Sequence, residues 1–124
     1  ITFILQPEIP HVTIPFYDDI PLKGPATRYE LPDGTFEVLA ENPGVRRFVY
    51  EHLVDLNRVL HRVGHSGATI NVYKLQICVT EVNIVGTICT YEGLSPDPKK
   101  IDKIITWPTP ECSTEVRGFL GTAG

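Results

Sequence analysis

Asp18 and Asp19 lie side by side in an otherwise apolar run, Ile14-Pro-Phe-Tyr-Asp-Asp-Ile20. Adjacent carboxylates repel, and apolar surroundings disfavour their charged forms. A chain tolerates such a pair on a solvated turn or around a cation. Presented by a strand-turn-strand, one oxygen of each can reach Mg²⁺, which wants hard oxygen ligands and keeps waters and substrate phosphates as the others. Two such ions about 4 Å apart hold both the attacking and the leaving oxygen of a phosphoryl transfer. The dipeptide alone leaves the plain solvated turn open as the alternative.

The remaining candidates for chemistry are weaker. His11, His52, His61 and His65 do not form a metal spacing; His61 and His65 are four apart, but the helix ends there with no third ligand near. Cys78, Cys89 and Cys112 stand alone, without a C-x-x-C or the Cys/His spacing of a zinc site. The serines have no G-x-S-x-G context, and neither a P-loop nor a dinucleotide fingerprint is present. Lys99, Lys100 and Lys103 cluster with Asp97 and Asp102, which reads first as a solvated face and second as a source of phosphate contacts.

These residues sit on a chain of 124 residues with 42% hydrophobic and 21% charged side chains, one domain's worth or a piece of a larger one. Its length predicts a core without staples. The net charge of −4 gives no basic excess, so nucleic-acid contact by the whole chain is not expected and must come from a local patch or neighbouring domains. An odd cysteine count points to a reduced, intracellular setting. No apolar run approaches the ~20 residues of a membrane span. Methionine is absent even at position 1, which reads as a segment of a longer polypeptide. Seven of the 11 prolines fall in the first 43 residues, so the N-terminal third is expected to be extended and turn-rich.

Val12, Ile14, Phe16 and Ile20 can line a short strand pair, with Pro15 and Pro21 limited to edge or end positions. Tyr29-Glu-Leu31 and Phe36-Glu-Val38 flank Pro32-Asp33-Gly34, a strong hairpin signal. Asn42-Pro43 reads as N-cap and first residue of a helix over 43–64. Val45, Phe48, Val49, Leu53, Leu56, Val59, Leu60 and Val63 form its apolar stripe, and Gly64 or Gly67 ends it. Residues 68–79 and 82–91 read as a strand pair. Ser95-Pro-Asp-Pro98 opens a short helix that Trp107-Pro-Thr-Pro110 stops, and Ser113 caps a last helix closed by Gly121. The expected class is α+β, an antiparallel sheet covered by one long helix and followed by two short helices.

Several of these blocks, in this order, resemble the reverse transcriptase region of gypsy-type LTR retrotransposon polyproteins. Ile14-Pro-Phe-Tyr-Asp-Asp-Ile20 resembles the aromatic-x-Asp-Asp motif of those enzymes. Gly86 with Glu92-Gly93-Leu-x-Pro96-Asp97, then Lys100, Ile104 and Trp107-Pro108, and finally Glu115-Val-Arg-Gly-Phe-Leu-Gly121 are similar to later blocks of the family. Lys23-Gly-Pro-Ala-Thr-Arg-Tyr-Glu-Leu-Pro-Asp-Gly34 is similar to its fungal branch.

The resemblance implies an RNA-directed DNA polymerase fragment: residues 1–95 as the C-terminal part of a palm, and 96–124 as the start of a thumb. It implies Asp18 and Asp19 as catalytic Mg²⁺ or Mn²⁺ ligands, binding weakly in the fragment, and Lys74 as the group that protonates leaving pyrophosphate. Phe16, Tyr17, Val85, Gly86, Lys99, Lys100 and Lys103 would contact nucleic acid, with residues 84–91 gripping the primer end. Partners would be an RNA/DNA template–primer duplex, deoxynucleotides, the remaining palm and fingers, and a second copy through an exposed apolar face, in a cytoplasmic particle or the nucleus. Two departures stand out. Phe16 replaces the usual tyrosine, and the family's third carboxylate lies upstream of Ile1, so the fragment alone is expected to be inactive. A non-enzymatic module from a decayed retroelement, binding protein, glycan or nucleic acid, is the competing reading.

Overall fold

Val59 and Val63, one turn apart on the predicted apolar stripe, are 2% and 4% exposed and close over Leu5, which is fully buried. Ile4, Ile9, Val12, Ile20 and Leu22 pack around this cluster. The computed structural model describes residues 1–123, which fall into two compact units, Ile1–Cys78 and a second that begins at Val79.

The first unit is built on one long helix, α1 (Arg47–His65). It starts four residues later than Asn42-Pro43 predicts. The Asn42 side chain instead accepts from the Gly44 N–H at 3.2 Å, and Val45 N–H donates to the Asn42 carbonyl. This local turn competes successfully with a helix cap, as Asn side chains often do. It brings Val38 opposite Arg46 in a β-bridge before the helix begins. At the far end Ser66 N–H returns to the Arg62 and Val63 carbonyls, and Gly67 takes φ +79°, the left-handed conformation that glycine adopts freely past a helix end.

Residues 23–46 fold back on α1. Pro32-Asp33-Gly34 turns the chain, with Glu30 bridged to Phe36 and Glu37 N–H bonded to the Tyr29 carbonyl. Phe36 meets Phe48 edge-on at 5.4 Å. Arg47 stacks 4.0 Å over the Tyr29 ring and ion-pairs with Glu37 and Glu51, while Tyr29 Oη donates to Glu51 at 2.9 Å.

The predicted strand over 68–79 does not form. The Asn71 side chain accepts from Tyr73 N–H and starts a single 3-10 turn, Val72–Lys74, and every residue of 68–79 is exposed. β-prone side chains make a strand only where a partner strand takes the backbone N–H and C=O groups.

In the second unit the sheet lies entirely within 81–96. β1 (Glu81–Ile84) pairs antiparallel with β2 (Thr87–Thr90), and β2 with β3 (Leu94–Pro96). The stretch 82–91, read as one strand, is thus a hairpin of its own. Val85 (φ +50°) and Gly86 (φ +78°) form its two-residue loop, and both positive angles define a type I′ turn. α2 (Pro98–Ile105) begins where its sequence says: Asp97 accepts from Lys99 N–H at 2.9 Å with Pro98 in the first turn. α3 (Ser113–Ala123) runs through Gly121 rather than stopping there, and Trp107 meets Phe119 edge-on at 5.9 Å.

The class is α+β, with a three-stranded antiparallel sheet and three α-helices among the described residues. The surface that covers α1 in its unit is the N-terminal segment 4–22. Buried apolar side chains among the described residues are only Leu5, Leu56, Val59 and Val63, a far smaller core than the chain's length predicts.

Candidate functional site

Phe16 and Asp19 exchange two backbone hydrogen bonds, each 2.9 Å, which makes them the closing pair of a two-residue hairpin loop, Tyr17-Asp18. Thr13 faces Leu22 in the same register, and Lys23 N–H donates to the Val12 carbonyl at 2.8 Å. The pairing between these two bridges is not a full ladder. Pro21, opposite Ile14 at the one hydrogen-bonding position between them, has no N–H to give, and the expected strand pair survives as two isolated bridges. Thr13, fully buried, compensates by donating its hydroxyl to the Pro21 carbonyl at 2.7 Å.

Tyr17 takes φ +52°, an uncommon angle for a side chain of its size. Asp18 does not share it, so the loop is not the type I′ turn, which needs positive φ at both residues. The result lifts Tyr17 into solvent at 85% exposure with its ring edge-on to Phe16 at 4.9 Å. Asp18 and Asp19 follow directly, both exposed.

The base of the hairpin is held more firmly than its tip. Val12, Ile20 and Leu22 pack against the Leu5–Val59–Val63 cluster. Beside it Glu8, 4% exposed, receives Arg58 Nε at 2.9 Å and Arg62 Nε at 2.8 Å. Burial raises the Glu8 carboxyl's pKa, but the hydrogen bonds and charges of the two guanidinium groups outweigh it, and the net direction is down. This clamp was not anticipated from sequence. Its signal was present: a lone Glu within an apolar N-terminal segment, and two arginines four apart on one helix face.

The donors at the tip are hard carboxylate oxygens open to solvent, which suits Mg²⁺ or Mn²⁺, ions that accept one or two carboxylates and fill other positions with water or phosphate. Among the described residues no group of three His, Cys, Asp or Glu side chains is placed to hold a metal.

The other site residues lie as follows. Lys74 ends the exposed 3-10 turn in the first unit. In the second unit, Val85 and Gly86 make the β1–β2 turn, and Gly86 backs onto the aliphatic stem of Lys100, 3.5 Å from where a side chain would start. Gly86, Thr87, Leu94, Ser95, Lys100 and Ile104 border an open groove of about 410 Å³. Lys99 and Lys103 are exposed on α2. Phe16, Tyr17, Asp18 and Asp19 thus share one turn, and Gly86 and Lys100 border one groove, with Val85 next to Gly86 in the β1–β2 turn. No helix among the described residues is long and apolar enough to cross a membrane.

The chain is 31% identical over 74 residues to the retrovirus-related Pol polyprotein from transposon 297 of Drosophila melanogaster, a stretch covering 60% of this chain and 7% of that polyprotein. It is 29% identical over 72 residues to the transposon Tf2-3 polyprotein of Schizosaccharomyces pombe, covering 58% of this chain and 5% of the polyprotein. The Tf2-4 polyprotein matches to the same extent. The chain is therefore related to retrotransposon polyproteins and spans a small part of their length. No family model and no solved structure matches it.

Proposed function

We propose that this chain is the part of a retrotransposon polyprotein that carries the metal-binding turn of an RNA-directed DNA polymerase, with the C-terminal part of the palm and the start of the thumb. The observation that supports it most is the two-residue reversal at Tyr17-Asp18, which sets two adjacent, exposed carboxylates at a hairpin tip backed by aromatic rings. The relation to a Pol polyprotein supports it independently.

On this reading Asp18 and Asp19 bind Mg²⁺ or Mn²⁺, weakly in this chain alone, with the third carboxylate and the fingers supplied by the rest of the polyprotein. When bound, the ions stabilise charge on the attacking 3′ oxygen and the leaving pyrophosphate. The chain's own contributions are positional. The Glu8 clamp and the Leu5–Val59–Val63 cluster fix the base of the turn, Phe16 and Tyr17 present stacking surface to the primer end, and Lys74 carries a proton for the leaving group. Val85, Gly86 and the α2 lysines Lys99, Lys100 and Lys103 contact the duplex backbone. The palm layering, a long helix over the sheet, and the thumb role of α2 and α3 belong to the same proposal, as does residence in a cytoplasmic particle or the nucleus.

The test joins this chain to the upstream palm and fingers of its polyprotein and measures extension of a primed RNA template. Extension with Mg²⁺ that disappears on Asp18→Asn supports the reading; extension indifferent to both Asp18→Asn and Asp19→Asn overturns it. The isolated chain is expected to extend nothing, because preorganised electrostatics need the whole cage. Its duplex binding should weaken steeply with salt. Salt-independent binding to a glycan or a protein would favour the non-enzymatic module instead.

A further inference from the structure

We propose that His61 and His65 form a separate two-imidazole chelate for a borderline divalent transition-metal ion, of the Ni²⁺, Cu²⁺ or Zn²⁺ class. The two residues stand four apart near the end of α1, the spacing that stacks side chains one turn above another. Their ring centroids are 4.1 Å apart with the planes tilted by 37°. Metal–imidazole bonds of about 2.0–2.1 Å let one ion bridge two nitrogens up to ~4 Å apart, a span that rings with centroids 4.1 Å apart can meet by rotating about their side-chain bonds.

A second observation fixes which nitrogen is offered. His65 Nδ1 lies 2.9 Å from the His61 carbonyl oxygen. A carbonyl only accepts, so Nδ1 carries the hydrogen and the neutral ring keeps its lone pair on Nε2. A ligating histidine that donates its other ring N–H to a backbone carbonyl is the usual arrangement at metal sites. Both rings are exposed to incoming ions. The neighbouring charges do not repel a dication as a set, because Arg58 and Arg62 are matched by Glu8 and Asp55. With no third protein ligand among the described residues, water or another molecule completes the coordination. Imidazole donors select a softer ion than the carboxylate oxygens of Asp18 and Asp19 do, so the two sites differ in the metal they take.

Calorimetric titration of the untagged chain with Ni²⁺ tests this. The expected result is one ion per chain, weakened at least about tenfold by either His61→Ala or His65→Ala, the scale on which loss of even an outer partner is felt. His11→Ala and His52→Ala should leave it unchanged. Equal affinity in wild type and the His61→Ala/His65→Ala double variant would overturn the proposal. A measurement on the wild type alone guards against a folding defect. At substoichiometric Ni²⁺ the ring resonances of His61 and His65 should broaden together before those of His11 and His52, and parallel broadening of all four would equally refute the site.

Discussion

Arg62 Nε meets the Glu8 carboxylate at 2.8 Å across 54 residues of sequence. Arg58, one turn earlier on α1, takes both oxygens of the same group at 2.9 Å. This fork ties the segment leading into the acidic hairpin to the helix beneath it, next to the only buried apolar cluster of the first unit. It is the polar half of what positions Asp18 and Asp19.

Glu8→Gln should therefore destabilise the first unit by about 2 kcal/mol. Breaking a fully buried pair costs ~3–5 kcal/mol, and here the arginines are 43% and 38% exposed, which lowers the figure. Urea unfolding at pH 7 measures it. A loss below about 0.5 kcal/mol, the range of ordinary surface changes, would show the clamp to be incidental.

The same carboxyl sets an acid limit. Its folded-state pKa is lowered from the ordinary 4.5, so the unfolded chain takes up the proton first. The stability contributed is present above about pH 4.5 and is lost as pH falls through the folded value. Stability of the wild type should drop between pH 5 and pH 3 more than that of Glu8→Gln, and the two curves should converge at the acid end.

Val85→Asn should stabilise the β1–β2 hairpin by about 1 kcal/mol. A β-branched residue at φ +50° is strained, whereas Asn-Gly is the preferred pair for a type I′ turn. Val85 is 60% exposed, so little packing is lost. Thermal unfolding of the variant reads the gain, and a lower midpoint would mean that the valine side chain makes a contact worth more than its strain.

Asp97→Ala should cost about 1 kcal/mol and fray α2. Asp97 caps Lys99 N–H with one oxygen and accepts from Asn83 Nδ2 at 2.7 Å with the other. Its own N–H reaches the Gly86 carbonyl at 3.0 Å. Faster amide exchange at Lys99 and Lys100, with the β1–β2 turn loosened in parallel, is the expected signature.

Elements with short-range causes were legible in the sequence. The α1 stripe from Phe48 to Val63, the Asp97-Pro98 helix start and the Pro-Asp-Gly turn each depend on residues within one or two turns of each other, and each is where its pattern puts it. The failures share a different cause. Ile70 and Val72 share one phase of a two-residue repeat and Leu75 and Ile77 the other, and at the break Asn71 closes a 3-10 turn with no partner strand there to pair with. Asn42 had two competing uses for its side-chain oxygen, and the Gly44 N–H won over a helix end. The candidate turn was readable from Tyr-Asp-Asp alone, but the residues that hold it were not. Glu8 finds Arg58 and Arg62 only once the chain has folded back over α1, and no local period encodes that meeting.

Pro15 and Pro21 leave gaps in the hydrogen bonding of the hairpin that ends in Asp18. Those gaps also govern what the hairpin can recruit. A regular ladder would show an outer rim of alternating donors and acceptors, a template for strand addition by any passing chain. Here Pro15 lies opposite Ile20, between the hydrogen-bonded pairs, so its missing N–H falls on the outer rim and interrupts annealing along that edge within a few residues of the tip. The acidic apex is thereby kept clear of stray β-association and stays open to solvent.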